Sequence, residues 1–315
     1  MDDKLKLFLR AVRRAIAALI LAVIACPPAA AAGRSVVDDL GFQVSIPEVV
    51  TRIVSLVPTN SEMVCLLDCS RLVGGTRYDR FPEALALRVR QRQIAIIGGG
   101  FDANLEKIVQ LAPALIIANG PSQQKIALPL KRMGYPVLSL WPRDLAGLKK
   151  DFSLLGEILD RKGKARRILD QVEKGFLAIV NKAKGKPRKR VYLQMWSDPL
   201  ITVGNTSFPQ WLLEAAGGTN IFEDMPFDSG QVGLESIIRR DPEVLIFLTG
   251  QESFVQQLTK RAGWNAIRAV QRSHICFVDE SDLNRRVQFL GGLARMHDCL
   301  FSAERVGQAI SSESR

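Results

Sequence analysis

The chain states one pattern twice. Leu105-Glu106-Lys107-Ile108-Val109 leads to Pro113 and the apolar run Leu115-Ile116-Ile117; Leu234-Glu235-Ser236-Ile237-Ile238 leads to Pro242 and Val244-Leu245-Ile246-Phe247. The glutamate stands seven residues before the proline in both copies. Each copy reads as a short helix, a proline that ends it, and a buried strand. Two copies specify two similar lobes, and two lobes enclose a cleft. An acidic residue at the same place on each lobe gives a matched pair of surface charges. That combination points to a binding protein that docks on a two-fold partner rather than to an enzyme.

The first residues set the compartment. Lys4, Lys6, Arg10, Arg13 and Arg14 precede the apolar stretch Ala15 to Ala25, which falls short of the roughly 20 residues that a membrane-spanning helix needs. Ala29-Ala30-Ala31-Ala32 supplies small residues for cleavage, so residues 1–32 read as a secretory signal peptide and the product as periplasmic. Val23-Ile24-Ala25-Cys26 resembles a lipobox, and cleavage before Cys26 would leave a lipid anchor; the alanine run favours a soluble product. The full chain carries net charge +11, of which the leader, with five basic and two acidic residues, contributes +3. The remaining +8 suits an anionic ligand or membrane face, and export makes nucleic acid the least fitting partner. The cluster Lys182, Lys184, Lys186, Arg188, Lys189 and Arg190 lacks interleaved aromatics and reads as a solvated connection.

Alternating short strands and helices predict a mostly parallel α/β architecture. After an extended arm at Val36 to Ile46, the first lobe has strands at 52–57, 72–75, 115–118 and 137–140. Its helices fall at 61–67, with Thr59 or Asn60 as N-cap, at 105–111 and at 123–133. From Leu145 to Lys184 the apolar residues Leu148, Phe152, Leu155, Leu159, Ile168, Val172 and Phe176 recur at helical spacing. This predicts one long helix joining the lobes, with a break near Gly163, and only small closure of the cleft. The second lobe repeats strand and helix at 191–194, 209–215, 234–239, 244–248, 254–261, 275–278 and 290–308. The division is therefore a leader at 1–32, an N-terminal lobe at 33–143, a connecting helix at 144–188 and a C-terminal lobe at 189–315. Cys65 and Cys69 stand at i, i+4, where regular helix geometry disfavours a bridge; Cys276 and Cys299 are either bridged or buried thiols.

With these features the chain resembles the solute-binding proteins of bacterial ABC importers, specifically the class with a rigid helical backbone that carries cobalamin, ferric siderophores or haem. The carriers are Arg52-Ile53-Val54-Ser55-Leu56 with Pro58 and Glu62, Val73-Gly74 with Tyr78 and Pro82, and Asn104-Leu105-Glu106-Lys107-Ile108 with Pro113. Val203-Gly204, Gly217-Gly218 with Asn220-Ile221, and Leu234-Glu235 with Pro242 add the second lobe. Tyr78 to Pro82 and Gly217 to Phe222 look most like the cobalamin-binding branch. The resemblance implies a monomeric binding subunit that delivers a corrinoid, or alternatively a ferric siderophore or haem, to a permease and ATPase complex in the inner membrane. It also implies that Glu106 and Glu235 pair with permease arginines, a charge-assisted and geometrically selective contact.

The ligand is expected at loops following the carboxyl ends of the strands. Tyr78, Phe101, Trp196 and Phe227 are loop aromatics suited to a bulky chelate, and Tyr78 matches a ligand-facing tyrosine of the cobalamin branch. Arg77, Arg285 and Arg286 supply cations for carboxylates, phosphates or catecholates, and Asn60 lies in the first such loop. The stretch Asn284-Arg285-Arg286-Val287-Gln288 departs from the Arg-Pro-Gly-Pro-Arg-like run of the family. The two histidines, His274 and His297, belong to no metal-ligand spacing, so a metal is expected only inside its own chelator and no resident cofactor is expected. As an enzyme the chain lacks a nucleophile elbow, a P-loop and a dinucleotide fingerprint. Gly98-Gly99-Gly100 precedes a helix, where a phosphate could rest, and a turn that lets the backbone pass close to a ligand explains the glycines as well.

Overall fold

A computed structural model describes residues 33–248 and 250–302. The leader, including Cys26, and the expected continuation of the last helix to Gln308 lie outside the described residues. An antiparallel arm, β1 (Gly33–Val37) and β2 (Gln43–Pro47), precedes the first lobe. That lobe alternates β3 (Ile53–Ser55), α1 (Pro58–Asp68), β4 (Leu72–Gly75), α2 (Glu83–Arg90), β5 (Ala95–Ile96), α3 (Leu105–Gln110), β6 (Leu115–Asn119), α4 (Gln124–Arg132) and β7 (Val137–Leu140). Its sheet runs β5-β4-β3-β6-β7 and every pairing is parallel. Strands β3, β6 and β7 are buried along nearly their whole length and are mostly apolar, as suits a parallel sheet packed on both faces.

One helix start departs from expectation and another agrees with it. Helix α1 begins at Pro58, with Val57 as N-cap and no side-chain cap, instead of being capped by Thr59 or Asn60. Proline is suited to the first helical position because its missing N–H would have no intrahelical partner there. Helix α3 begins as expected, with Asn104 Oδ1 accepting from Lys107 N at 2.9 Å.

The helical periodicity of 145–184 is carried by two helices, α5 (Leu145–Ile158) and α6 (Lys162–Ala183). The break lies just before Gly163. Asp160 takes φ +55° there, and Arg161 N donates to Gly156 O at 2.6 Å. The two helices then cross closely, because a Cβ on Gly156 would stand 2.6 Å from Ala165 Cβ. One continuous apolar cluster runs from the first sheet through Leu148, Phe152, Leu155, Leu169 and Val172 to Phe208 and Phe289 of the second lobe. A close-packed connection of this kind resists hinge motion.

The second lobe contains β8 (Lys189–Ser197), β9 (Leu200–Val203), α7 (Phe208–Ala215), β10 (Gly218–Asn220), β11 (Ser229–Gln231), α8 (Leu234–Arg240) and β12 (Val244–Leu248). It continues through the short α9 (Glu252–Gln256), α10 (Arg268–Gln271), β13 (Ile275–Val278) and α11 (Leu290–Phe301). Strands β8, β10, β12 and β13 are parallel. Strand β9 folds back on β8 as an antiparallel hairpin and β11 pairs antiparallel with β9 at the sheet edge, an extension that the sequence does not predict.

Both cysteine pairs are bridged. Cys276–Cys299 staples β13 to α11. Cys65–Cys69 is also a disulfide, against expectation. The reason is local: α1 ends at Asp68, whose carboxylate accepts from Ser70 N, and Cys69 opens a 3₁₀ turn. The pair therefore straddles a helix end rather than one regular turn. Among the described residues no helix is long and apolar enough to cross a membrane.

Candidate functional site

The carboxyl ends of both sheets gather the candidate ligand residues. After β4 the chain turns at Thr76, whose hydroxyl donates to Asp79 at 2.6 Å. This turn presents Tyr78, which is 55% exposed. After β5, Asp102 closes the glycine turn by accepting from Gly99 N at 2.6 Å and from Arg77 Nη2 at 2.6 Å. Arg77 is thereby an exposed, paired cation beside the Tyr78 ring. The same contact corrects the reading of Gly98-Gly99-Gly100 as a phosphate rest, because the chain's own carboxylate takes the Gly99 N–H. Gln123, which the sequence did not single out, donates to Leu56 O at 2.9 Å and Gly100 O at 2.7 Å and accepts from Asn119 N at 2.7 Å. It ties the ends of β3 and β6 to the loop that carries Phe101, which is 81% exposed.

From the second lobe, Trp196 stands near the tip of the β8–β9 hairpin, 59% exposed, with Nε1 donating to Asp198 O at 2.8 Å. Phe227 is half-buried against two glycines: a Cβ on Gly204 or Gly230 would stand 2.6 or 3.0 Å from its ring. It is packed in place more than it is offered. Asn60 is not available to a ligand at all. It is 2% exposed and its Nδ2 donates to Ala118 O at 3.1 Å, strapping α1 to β6. The expectation failed because Pro58 starts the helix early and carries Asn60 into the core.

Both arginines after β13 reach across to the first lobe. Arg285 donates from Nε to Pro142 O at 3.0 Å and from Nη2 to Asp228 at 2.5 Å, and its guanidinium lies 3.6 Å above the Trp141 ring. Burial holds the Arg285 pKa below its ordinary value, against the opposing pull of Asp228. Arg286 meets Glu62 of α1 at 3.1 Å and Asp282 at 3.1 Å. The Glu62 and Arg286 side chains are 4% and 12% exposed. Desolvation raises the Glu62 pKa to about 7, although the Arg286 charge opposes the shift. Asp79 is raised by burial in the same way, with Ser61 and Thr76 opposing. Glu62 is the main residue that the sequence reading under-weighted. Its signal is an acid beside the run Met63-Val64-Cys65 in a helix most of whose other positions are buried, since such an acid needs a partner.

A small pocket of about 100 Å³ lies beside Arg285, bounded by Met195, Asp228 and Asn284. That is below the several hundred Å³ of a usual small-molecule site. Tyr78, Phe101 and Trp196 form the exposed aromatic rim at the carboxyl ends of the sheets.

Glu106 and Glu235 are exposed in the first turns of α3 and α8. Among the described residues neither carboxylate has a hydrogen bond or ion pair. In each copy the helix start is fixed at the carboxyl edge, by Asn104 N on Ile97 O in the first lobe and Val232 N on Leu200 O in the second. The strand start is fixed at the opposite edge, by Ala114 N on Arg52 O and Glu243 N on Arg190 O. Both acids consequently stand on the cleft side of their lobes. The histidines serve structure: His274 Nε2 lies 3.0 Å from Cys299 O, and His297 packs on Phe301. Among the described residues no group of three or more His, Cys, Asp or Glu is placed to hold a metal.

Two lobes with parallel cores, a helical connection and a rim of loop aromatics define a solute-binding protein. Residues 53–281 match the periplasmic binding protein family, and the chain belongs to that family. It is 26% identical over 261 residues to the uncharacterized ABC transporter substrate-binding lipoprotein YvrC of Bacillus subtilis, covering 79% of each chain. It is 25% identical over 203 residues to the vitamin B12-binding protein of Photorhabdus laumondii, covering 64% of this chain and 72% of that protein. Among solved structures, a possible iron-binding (periplasmic solute-binding) protein from Staphylococcus epidermidis superposes with TM-score 0.68 at 25% identity, covering 79% of this chain and 98% of the other.

Proposed function

We propose that the chain is the extracytoplasmic substrate-binding subunit of an ABC importer. It captures a metal chelate, with a corrinoid favoured, between its lobes and hands it to a permease and ATPase complex in the inner membrane. The observation that carries this reading is the matched pair Glu106 and Glu235. Both are exposed, both are without partners among the described residues, and both stand in the first turns of corresponding helices that start at the cleft-side edges of their lobes. Each suits a permease arginine, with the two-fold spacing supplied by the two lobes. Tyr78, Phe101 and Trp196 are the residues best placed to cover the faces of the chelate, and Phe227 supports that rim from behind. The subunit acts as a monomer after export, either free or held by a lipid on Cys26.

A second reading, a ferric siderophore or haem in the same cleft, is favoured by Arg285 and Arg286, whose guanidiniums suit anionic oxygens. It also agrees with the likeness to a possible iron-binding protein. The test is the absorbance spectrum and mass of whatever co-purifies. Titration with cyanocobalamin and with ferric hydroxamate and catecholate chelates follows. Saturable binding of cyanocobalamin supports the corrinoid reading; binding of the ferric chelates alone transfers the role to iron; turnover of a bound substrate would contradict both.

A further inference from the structure

The cleft floor holds one feature that this reading does not use. Glu62 rises from α1 at the carboxyl edge of the first sheet, and Arg286 comes from the loop at the carboxyl edge of the second. They meet in a place nearly closed to water, yet the pair is incompletely satisfied. Glu62 Oε1 and Arg286 Nε have no hydrogen-bond partner. Partner-free donors and acceptors in a buried ion pair are costly. Beside the pair is Phe81, 47% exposed, with Arg286 5.8 Å from its ring, so the site is buried on one side and open to the rim on the other.

We propose that Glu62 sets the specificity of the cleft: it is an internal carboxylate that holds Arg286 until an acidic group on the incoming solute replaces it, so that chelates bearing a carboxylate, phosphate or catecholate oxygen are selected. The inference rests on the binding-subunit reading and deepens it. The incoming anion offers Arg286 the contacts that Glu62 now supplies and one for the partner-free Nε. Glu62, losing its cation, takes one proton from solvent, and its raised pKa makes that proton available near neutral pH. On the elements packed against α1 the buried carboxylates are Asp79 after β4 and Asp151 on α5, the latter beside Asp39 and the exposed Lys150; Arg88 on α2 is partly buried, and Asp282 approaches from the second lobe through Arg286. Among the described residues Arg286 alone makes an ion pair with Glu62.

The test uses the full mature chain and two pairs of probes that differ in acidic groups. One pair is cyanocobalamin, which has a phosphodiester, against cobinamide, which lacks it. The other is a ferric tris-catecholate against a neutral ferric tris-hydroxamate. In whichever pair binds, the wild-type protein should prefer the anionic member. Glu62→Gln should tighten that member at least fivefold and change the neutral one less than twofold. Calorimetry of the wild-type protein in two buffers of different ionisation enthalpy should register proton uptake near pH 7 with the anionic probe only, which keeps the test open if the variant misfolds. Binding with no charge preference, no proton uptake, or equal effects of Glu62→Gln on both members would overturn the role of Glu62 while leaving the binding subunit standing. Failure of every probe to bind would overturn both.

Discussion

The two lobes share a backbone plan and divide the chemistry. Each has a parallel core with a short helix, a proline and a buried strand, and each presents one first-turn glutamate. The first sheet is parallel throughout, whereas the second adds the antiparallel β9 and β11. That addition places Trp196 at a hairpin tip and Phe227 over Gly204 and Gly230. The first lobe contributes Glu62 and Trp141 to the junction, and the second contributes Arg285 and Arg286. Similar scaffolds thus supply complementary charges. This is what a receptor needs if its halves are to meet each other at the floor of the cleft and a solute at the rim.

The largest effect should come from breaking this complementarity on one side. Above pH 8.5, where Glu62 is ionised, Arg286→Ala leaves a buried carboxylate without its cation and should cost about 4 kcal/mol, a fall of about 10 °C in Tm by scanning calorimetry. Glu62→Gln, which keeps the shape and a hydrogen-bonding oxygen, should cost far less. Similar losses from both would mean that packing, not charge, joins the lobes there.

The disulfides offer a second contrast. Cys276–Cys299 closes 23 residues of the second lobe and Cys65–Cys69 only four of the first. By loop entropy, replacing the first pair with serine should cost about 3.5 kcal/mol and the second about 2 kcal/mol, read from urea melts. Equal costs would show that loop length is not the governing factor.

A third prediction concerns pH. Glu62 and Asp151 have folded pKa values raised to about 7 and about 8 from ordinary values of 4.5 and 3.8. Burial is the first cause in both, and the neighbouring Asp39 adds to it for Asp151. Each therefore contributes most below its unfolded pKa, and that contribution is lost as pH rises through the folded value. Between pH 5 and pH 8.5 the wild-type protein should lose up to about 3 kcal/mol through Glu62 alone. Glu62→Gln and Asp151→Asn should each flatten the decline of Tm over that range. An unchanged slope in either variant would remove that residue from the account.

The parts of this molecule that sequence reveals are the local ones. The repeated Glu-to-Pro spacing marks both parallel cores, and Asn104 announces its helix through a capping hydrogen bond to Lys107 N. The hairpin β8–β9 escaped because Leu200–Val203 is short, follows Asp198-Pro199, and buries only part of its length. The break between α5 and α6 rests on Asp160 at positive φ, a conformation that an aspartate does not advertise as a glycine would. Most of all, the partners of Arg285 and Arg286 lie in the other lobe. Glu62 is 224 residues from Arg286, and no local periodicity records such a pairing.

The smallest effect on the isolated protein belongs to the residues on which the delivery role depends. Removing the exposed carboxylates of Glu106 and Glu235 should change stability by less than about 0.5 kcal/mol. The most direct measurement is uptake of the bound chelate by cells carrying Glu106→Ala/Glu235→Ala, alongside the Kd of the purified variant. Docking through both lobes predicts uptake reduced at least tenfold, with Kd within twofold of the wild-type value. Unimpaired uptake, or a loss fully explained by weakened chelate binding, would contradict it.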